Sequence, residues 1–203
     1  MDDTIDVESL IDALIDREGG YADNPADKGG PTCFGITQAV ARANGYCGPM
    51  CQLPREEAAA IYKQLYWLRP RLDEVAMRSM AIAAELFDTG ANMGPAVAIT
   101  FLQRALTALN RNGNDYPDLT PDGRIGPQTL AALDAFLKLR GQSGGETVLL
   151  RALEALQGER YLRLAERRPA NEAFLYGWLA NRIGNAIRPQ TNPRKYVKSV
   201  NFP

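Results

Sequence analysis

Histidine is absent from all 203 residues of the chain, and its absence removes whole classes of chemistry. Serine and cysteine nucleophiles that lean on an imidazole base, and zinc proteases or amidases with histidine ligands, have nothing to work with. Cysteine is scarce as well. Cys33, Cys47 and Cys51 fall short of the usual four thiolate or imidazole ligands of a structural zinc site. They leave two readings open: one disulfide joining Cys33 to Cys47 or Cys51, or three free thiols. No stretch of about 18 apolar residues occurs, so no transmembrane helix and no stable membrane insertion are expected. The opening residues Met1-Asp2-Asp3-Thr4-Ile5-Asp6 are acidic and lack a basic stretch followed by an apolar core, so no secretory leader is expected. Work outside the cytoplasm would then depend on release or on secretion by other machinery. Acid/base chemistry is left mainly to carboxylates.

What is present is an ordinary globular composition, 45% hydrophobic and 23% charged with a formal net charge of −1, enough to bury a core. The charge is uneven. Asp2, Asp3, Asp6, Glu8, Asp12, Asp16 and Glu18 face one base, Arg17, at the N-terminal end. At the other end Arg160, Arg163, Arg167, Arg168, Arg182, Arg188, Arg194, Lys195 and Lys198 outnumber Glu166 and Glu172. A basic segment suits a polyanion such as cell wall, membrane surface or nucleic acid, while a solvated helix face is an equally good reading. No nucleic-acid reader motif accompanies the bases, so nucleic acid is not expected as a partner.

Periodicity predicts a mainly α protein. Val7, Leu10, Ile11, Leu14 and Ile15 mark a first helix over about 4–17, stopped by Gly19-Gly20. Residues 21–37 are rich in Gly, Pro, Asn and Asp and read as an irregular loop or small β-hairpin, with Thr37 capping a short helix that ends at Gly45. Pro54, Glu56 and Glu57 open a helix through Tyr66, and the apolar stretch from Val75 to Ala91 reads as a buried central helix. Gly94-Pro95 launches another, followed by helices over 129–139, 148–165 and 171–187, with 140–145 the most linker-like piece.

One constellation carries chemistry. Glu18 opens the run Glu18-Gly19-Gly20-Tyr21, Asp27 follows nine positions on, and Thr32 five beyond that. Glu18 continues the apolar face of Leu14 and Ile15 and sits at a helix C-terminus, two features that disfavour its anion. Asp27 lies in polar, glycine-rich surroundings that favour the ionised form. Two carboxyls in divergent environments are the pattern of an acid and base pair, as glycoside hydrolysis requires. Taken singly, each residue has a plainer reading as a turn or cap. Asp23 competes with Asp27 for the second role.

The spacing of Glu18, Asp27 and Thr32 resembles the Glu-Asp-Thr set of phage-type lysozymes. The longer string is similar to the glycoside hydrolase family 108 N-acetylmuramidases: Glu18-Gly19-Gly20-Tyr21, Gly29-Gly30-Pro31-Thr32, Gly35-Ile36-Thr37, Tyr66-Trp67 and Phe87-Asp88-Thr89-Gly90-Ala91-Asn92-Met93-Gly94. Leu102-Gln103-Arg104-Ala105-Leu106, the run from Asp122 to Thr129, Gly177-Trp178 and Asn181-Arg182 extend it over most of the chain. The cysteines around Cys47 and Cys51 form no part of that string.

The resemblance implies a lysozyme-like helical fold with a small β-hairpin or irregular loop after the first helix. It places a catalytic part over 1–94 and a helical peptidoglycan-binding part over 95–203, packed into one globule. It implies Glu18 as general acid, with Asp27 and Thr32 completing the catalytic set and no cofactor or metal. The substrate would be peptidoglycan, cut at the β-1,4 bond after N-acetylmuramic acid by inverting hydrolysis. Lytic transglycosylation and non-catalytic wall binding are the alternatives. A phage endolysin or a secreted effector, the latter with an immunity protein as partner, would fit. Aromatic faces and amides suit sugar rings, which makes Tyr21, Phe34, Tyr66, Trp67, Asn92, Gln103, Tyr176 and Trp178 candidate contacts, although most helical aromatics are core residues.

Overall fold

A computed structural model describes residues 6–23 and 30–184. They form two compact units, one ending at residue 69 and one running from 70 to 184. Among the described residues the only paired strands are a short antiparallel hairpin and one isolated bridge; the rest is helical or turn.

The first unit begins with α1 (Val7–Glu18). Asp6 caps it by accepting the Ser9 amide at 2.7 Å, and the helix closes with the Gly19 amide on the Ile15 carbonyl. Its apolar stripe, Ile11, Leu14 and Ile15, is buried. Its acidic face is matched by α3 (Arg55–Tyr62) and the turn that follows. Arg55 reaches Asp12 at 3.0 Å and Asp16 at 2.8 Å, and Lys63 reaches Glu8 at 2.6 Å. Acids that look crowded in sequence are therefore cross-linked in space. Between these helices lie β1 (Thr32–Cys33), β2 (Ile36–Thr37) and α2 (Gln38–Ala43), the last capped by the Thr37 hydroxyl accepting the Val40 amide. After Tyr62 the helix widens into a π-helical turn over Lys63–Leu68, where the Arg69 amide reaches back five residues to the Gln64 carbonyl at 3.0 Å.

The second unit contains α4 (Leu72–Ala76), α5 (Met80–Met93), α6 (Pro95–Leu109), α7 (Pro127–Arg140), α8 (Gln142–Arg167) and α9 (Glu172–Arg182). α8 packs against α5, α6, α7 and α9, and Leu86, Leu102, Leu106, Leu133 and Leu149 are each at most 1% exposed. Burial of such a side chain contributes about 1.5–3 kcal/mol.

Two sequence expectations are corrected here. The apolar stretch Val75–Ala91 is not one helix: it breaks after Ala76, and Ser79 caps α5 by accepting the Ile82 amide at 3.0 Å. Residues 142–145, expected as linker, are the first turn of α8, and the interruption narrows to Gly141. The ends of the predicted first and last helices, and the basic residues from Arg188 to Lys198, lie outside the described residues.

Candidate active site around Glu18

Glu18 is the last residue of α1 and is half-buried. The hairpin meets it through its turn. Cys33 pairs with Ile36, leaving Phe34 and Gly35 as a two-residue connection with φ of +52° and +74°. Positive φ at both positions is what a type I′ turn requires. Phenylalanine in that conformation carries a cost of about 1–3 kcal/mol, so something else must hold the turn. Tyr62 does so by donating its hydroxyl to the Phe34 carbonyl at 2.8 Å. A Cβ added at Gly35 would stand 2.8 Å from Glu18 Oε2, 2.9 Å from Glu18 Cγ and 2.8 Å from the Tyr62 hydroxyl. The turn backbone is thus pressed onto the Glu18 side chain, and only glycine satisfies both the φ and the space.

Tyr66 completes the surroundings, its ring 5.6 Å from that of Tyr62 and tilted by 41°. Burial first, and the Glu18 charge second, push both phenols above their ordinary range. They remain neutral hydroxyls beside the carboxyl across the physiological range.

The rim is polar. Ala22 bridges to Thr32 through two backbone bonds of 2.9 and 2.8 Å, which brings the residues after Glu18 alongside β1. Thr32 is half-buried, with its hydroxyl turned toward the Ala22 carbonyl at 3.5 Å. Tyr21 is 48% exposed and donates to Asp23 at 3.2 Å. Asp27 lies outside the described residues.

Residues 11–94 match the family model described as Glycosyl hydrolase 108, and residues 97–183 match Predicted Peptidoglycan domain. The chain carries a glycosyl hydrolase 108 domain. Brucella abortus SagA has the same fold, with a TM-score of 0.61 at 24% identity over 89% of this chain and 90% of the SagA chain. No curated protein matches. The fold is thus mainly α and lysozyme-like, and the two domains together support a glycoside hydrolase acting on peptidoglycan. No described helix is long and apolar enough to cross a membrane.

Within the glycosyl hydrolase 108 span the predicted residues divide. Glu18, Tyr21, Thr32, Phe34 and Tyr66 gather in the first compact unit, with Tyr21 open to solvent and Phe34 and Tyr66 half-buried. Trp67 is 4% exposed and belongs to the buried core. Asn92 belongs to the second unit and donates its amide to the Tyr161 hydroxyl. The amides and aromatics further along are engaged inside the second unit too. Gln103, 2% exposed, donates to Asp122 Oδ1 at 2.7 Å, the Arg124 carbonyl at 3.0 Å and Thr129 Oγ1 at 3.3 Å, and accepts the Gly123 amide at 3.0 Å. Gly123 has φ of +73°, and a Cβ there would stand 2.8 Å from the Ala96 carbonyl, so this loop is fixed from two sides. Trp178 stacks on Tyr161 at 5.2 Å and is 9% exposed, whereas Tyr176 is 85% exposed.

All three cysteines are free, Cys33 buried and Cys47 and Cys51 exposed. Burial, then the Cys51 thiol, pushes Cys33 upward. Among the described residues no cluster of three His, Cys, Asp or Glu groups suits a metal ion.

Tyr62 is the residue beside Glu18 that sequence reasoning misses, while Gly35 enters only as part of the Gly35-Ile36-Thr37 string. Tyr62 recurs with Ile61 and Leu65 on a helical face and reads as core; its spacing of four from Tyr66 is the signal that both rings share one side.

Proposed function

We propose that this protein is an N-acetylmuramidase that hydrolyses the β-1,4 bond between N-acetylmuramic acid and N-acetylglucosamine in peptidoglycan, with Glu18 as general acid. The observation that carries the reading is the contact of the Phe34–Gly35 turn with the Glu18 side chain, flanked by two neutral phenols. A backbone turn lies against the carboxyl, and two neutral phenols stand beside it. A leaving oxygen must meet a positioned proton donor, and such donors contribute about 10²–10⁴-fold.

Asp27 and Thr32 hold the attacking water on the far face of the sugar in an inverting reaction, which places the two carboxyls roughly 6.5–9.5 Å apart. Tyr21, Phe34 and Tyr66 offer ring faces to the glycan. Catalysis falls to residues 1–94 and wall binding to the remainder. Delivery follows phage lysis or a secretion machine; a neighbouring holin gene marks the first and an immunity gene the second.

The test is digestion of purified peptidoglycan by the protein and by Glu18→Gln, with fragments identified by mass. New reducing N-acetylmuramic acid ends that vanish in Glu18→Gln support the reading. Anhydro ends would replace it by transglycosylation, and unaltered wall by binding alone. Asp27→Asn and Asp23→Asn in parallel assign the base, and a dead Asp23→Asn beside an active Asp27→Asn would reverse that assignment.

A further inference from the structure

We propose that Tyr62 is a positioning residue for the reaction, holding the Phe34–Gly35 turn in place and through it the Glu18 carboxyl. The inference rests on the assignment of Glu18 as the acid.

Tyr62 is 6% exposed and its proton is committed to the Phe34 carbonyl, so it neither reaches a glycan nor transfers a proton to one. What it touches is the turn. Phe34 is held at a φ of +52°, which a phenylalanine leaves readily unless its neighbours forbid it. The hairpin is too short to impose that geometry, being two residue pairs long. The Tyr62 hydroxyl is the side-chain bond to the turn carbonyl, and the position a Gly35 Cβ would take is equally close to that hydroxyl and to Glu18 Oε2. One oxygen therefore fixes the surface against which the carboxyl rests. Tyr62 is also the last residue of α3 before the π-helical turn begins, which sets the Tyr66 ring beside it. Small displacements of a proton donor are expensive in rate, so loss of the clamp should appear in turnover more than in binding.

The experiment is Tyr62→Phe, which keeps the ring and removes the hydroxyl, assayed on soluble peptidoglycan fragments beside wild type and Glu18→Gln. The expected result is a kcat lowered roughly ten-fold with KM within about two-fold, and a melting temperature within a few degrees of wild type. A second readout uses Cys33, which is 4% exposed in β1. In a Cys47→Ser/Cys51→Ser background, Tyr62→Phe should make Cys33 react faster with a thiol reagent as the hairpin loosens. An inactive Glu18→Gln with a wild-type kcat in Tyr62→Phe overturns the positioning role alone. So does a loss of activity that follows a collapse in melting temperature. Wild-type turnover by Glu18→Gln removes the Glu18 assignment and this inference with it.

Discussion

The two compact units set their polar side chains in different surroundings. Around Glu18 a carboxyl meets a backbone turn and two phenols, and the Tyr62 hydroxyl serves the turn. Around Gln103 a single amide uses both of its ends, donating to three acceptors and receiving the Gly123 amide. The amide is consumed by architecture. The carboxyl is set beside phenols whose own protons stay put. Residue type alone does not separate the two cases: a buried amide in a family-like string reads as a sugar ligand until its bonds are counted.

Paired substitutions would break this comparison most sharply. Glu18→Gln should lower peptidoglycan hydrolysis by about 10²–10⁴-fold with little change in thermal midpoint. Gln103→Ala should do the reverse. It leaves the Gly123 amide without its acceptor inside a buried loop, at a cost of about 2–3 kcal/mol or roughly 5–10 °C in a melting experiment. Activity per folded molecule should be kept. A Gln103→Ala protein that melts like wild type but no longer cleaves would make Gln103 a ligand after all.

A smaller effect separates the units by pH. Burial, then the charges of Asp88 and Glu154, raise the Glu85 carboxyl from 4.5 to about 8, although the Thr89 hydroxyl at 3.3 Å favours its anion. The folded state therefore keeps a proton that the unfolded chain has already lost. Its contribution is fully present below about 4.5 and is lost as pH rises to about 8. Glu85→Gln should flatten the pH dependence of the urea midpoint over that window and leave the variant more stable than wild type at pH 8.5. A variant that tracks wild type across the window would remove Glu85 as the source.

The smallest effect is expected on the surface. Arg55→Ala breaks ion pairs to Asp12 and Asp16, whose side chains are 62% and 69% exposed, and should shift the denaturant midpoint only slightly, less still in salt.

Much of this organisation is legible in the sequence because it is local. The α1 stripe, the Thr37 cap, the start of α6 at Gly94-Pro95 and the hairpin after α1 each follow from residues within a turn of one another. The break between α4 and α5 is not, because Met77 to Ser79 interrupts an apolar pattern without a glycine or proline. What anchors it is distant in sequence: the Ser79 hydroxyl donates to Glu146 at 2.5 Å. The glycines near 145 mislead in the other direction. Gly145 is buried against Phe136 and Arg140, so a composition typical of a linker serves close helix packing. Glu18, Thr32, Phe34 and Tyr66, which lie together in the first compact unit, are singled out by spacing and resemblance. Tyr62 is not, since its role is a bond to a backbone carbonyl 28 positions away, and carbonyls leave no trace in a sequence.

The π-helical turn after Tyr62 makes this region sensitive to counting rather than to residue type. A π turn holds one residue more than an α turn needs, so deleting any single residue between Lys63 and Leu68 would let the segment relax into ordinary helix. The residues of that turn beyond the deletion would then rotate by about 100° relative to α3, within the first unit. The indole of Trp67 would leave its buried place. Substitutions in this stretch meet a forgiving helix; a change of length meets a ratchet.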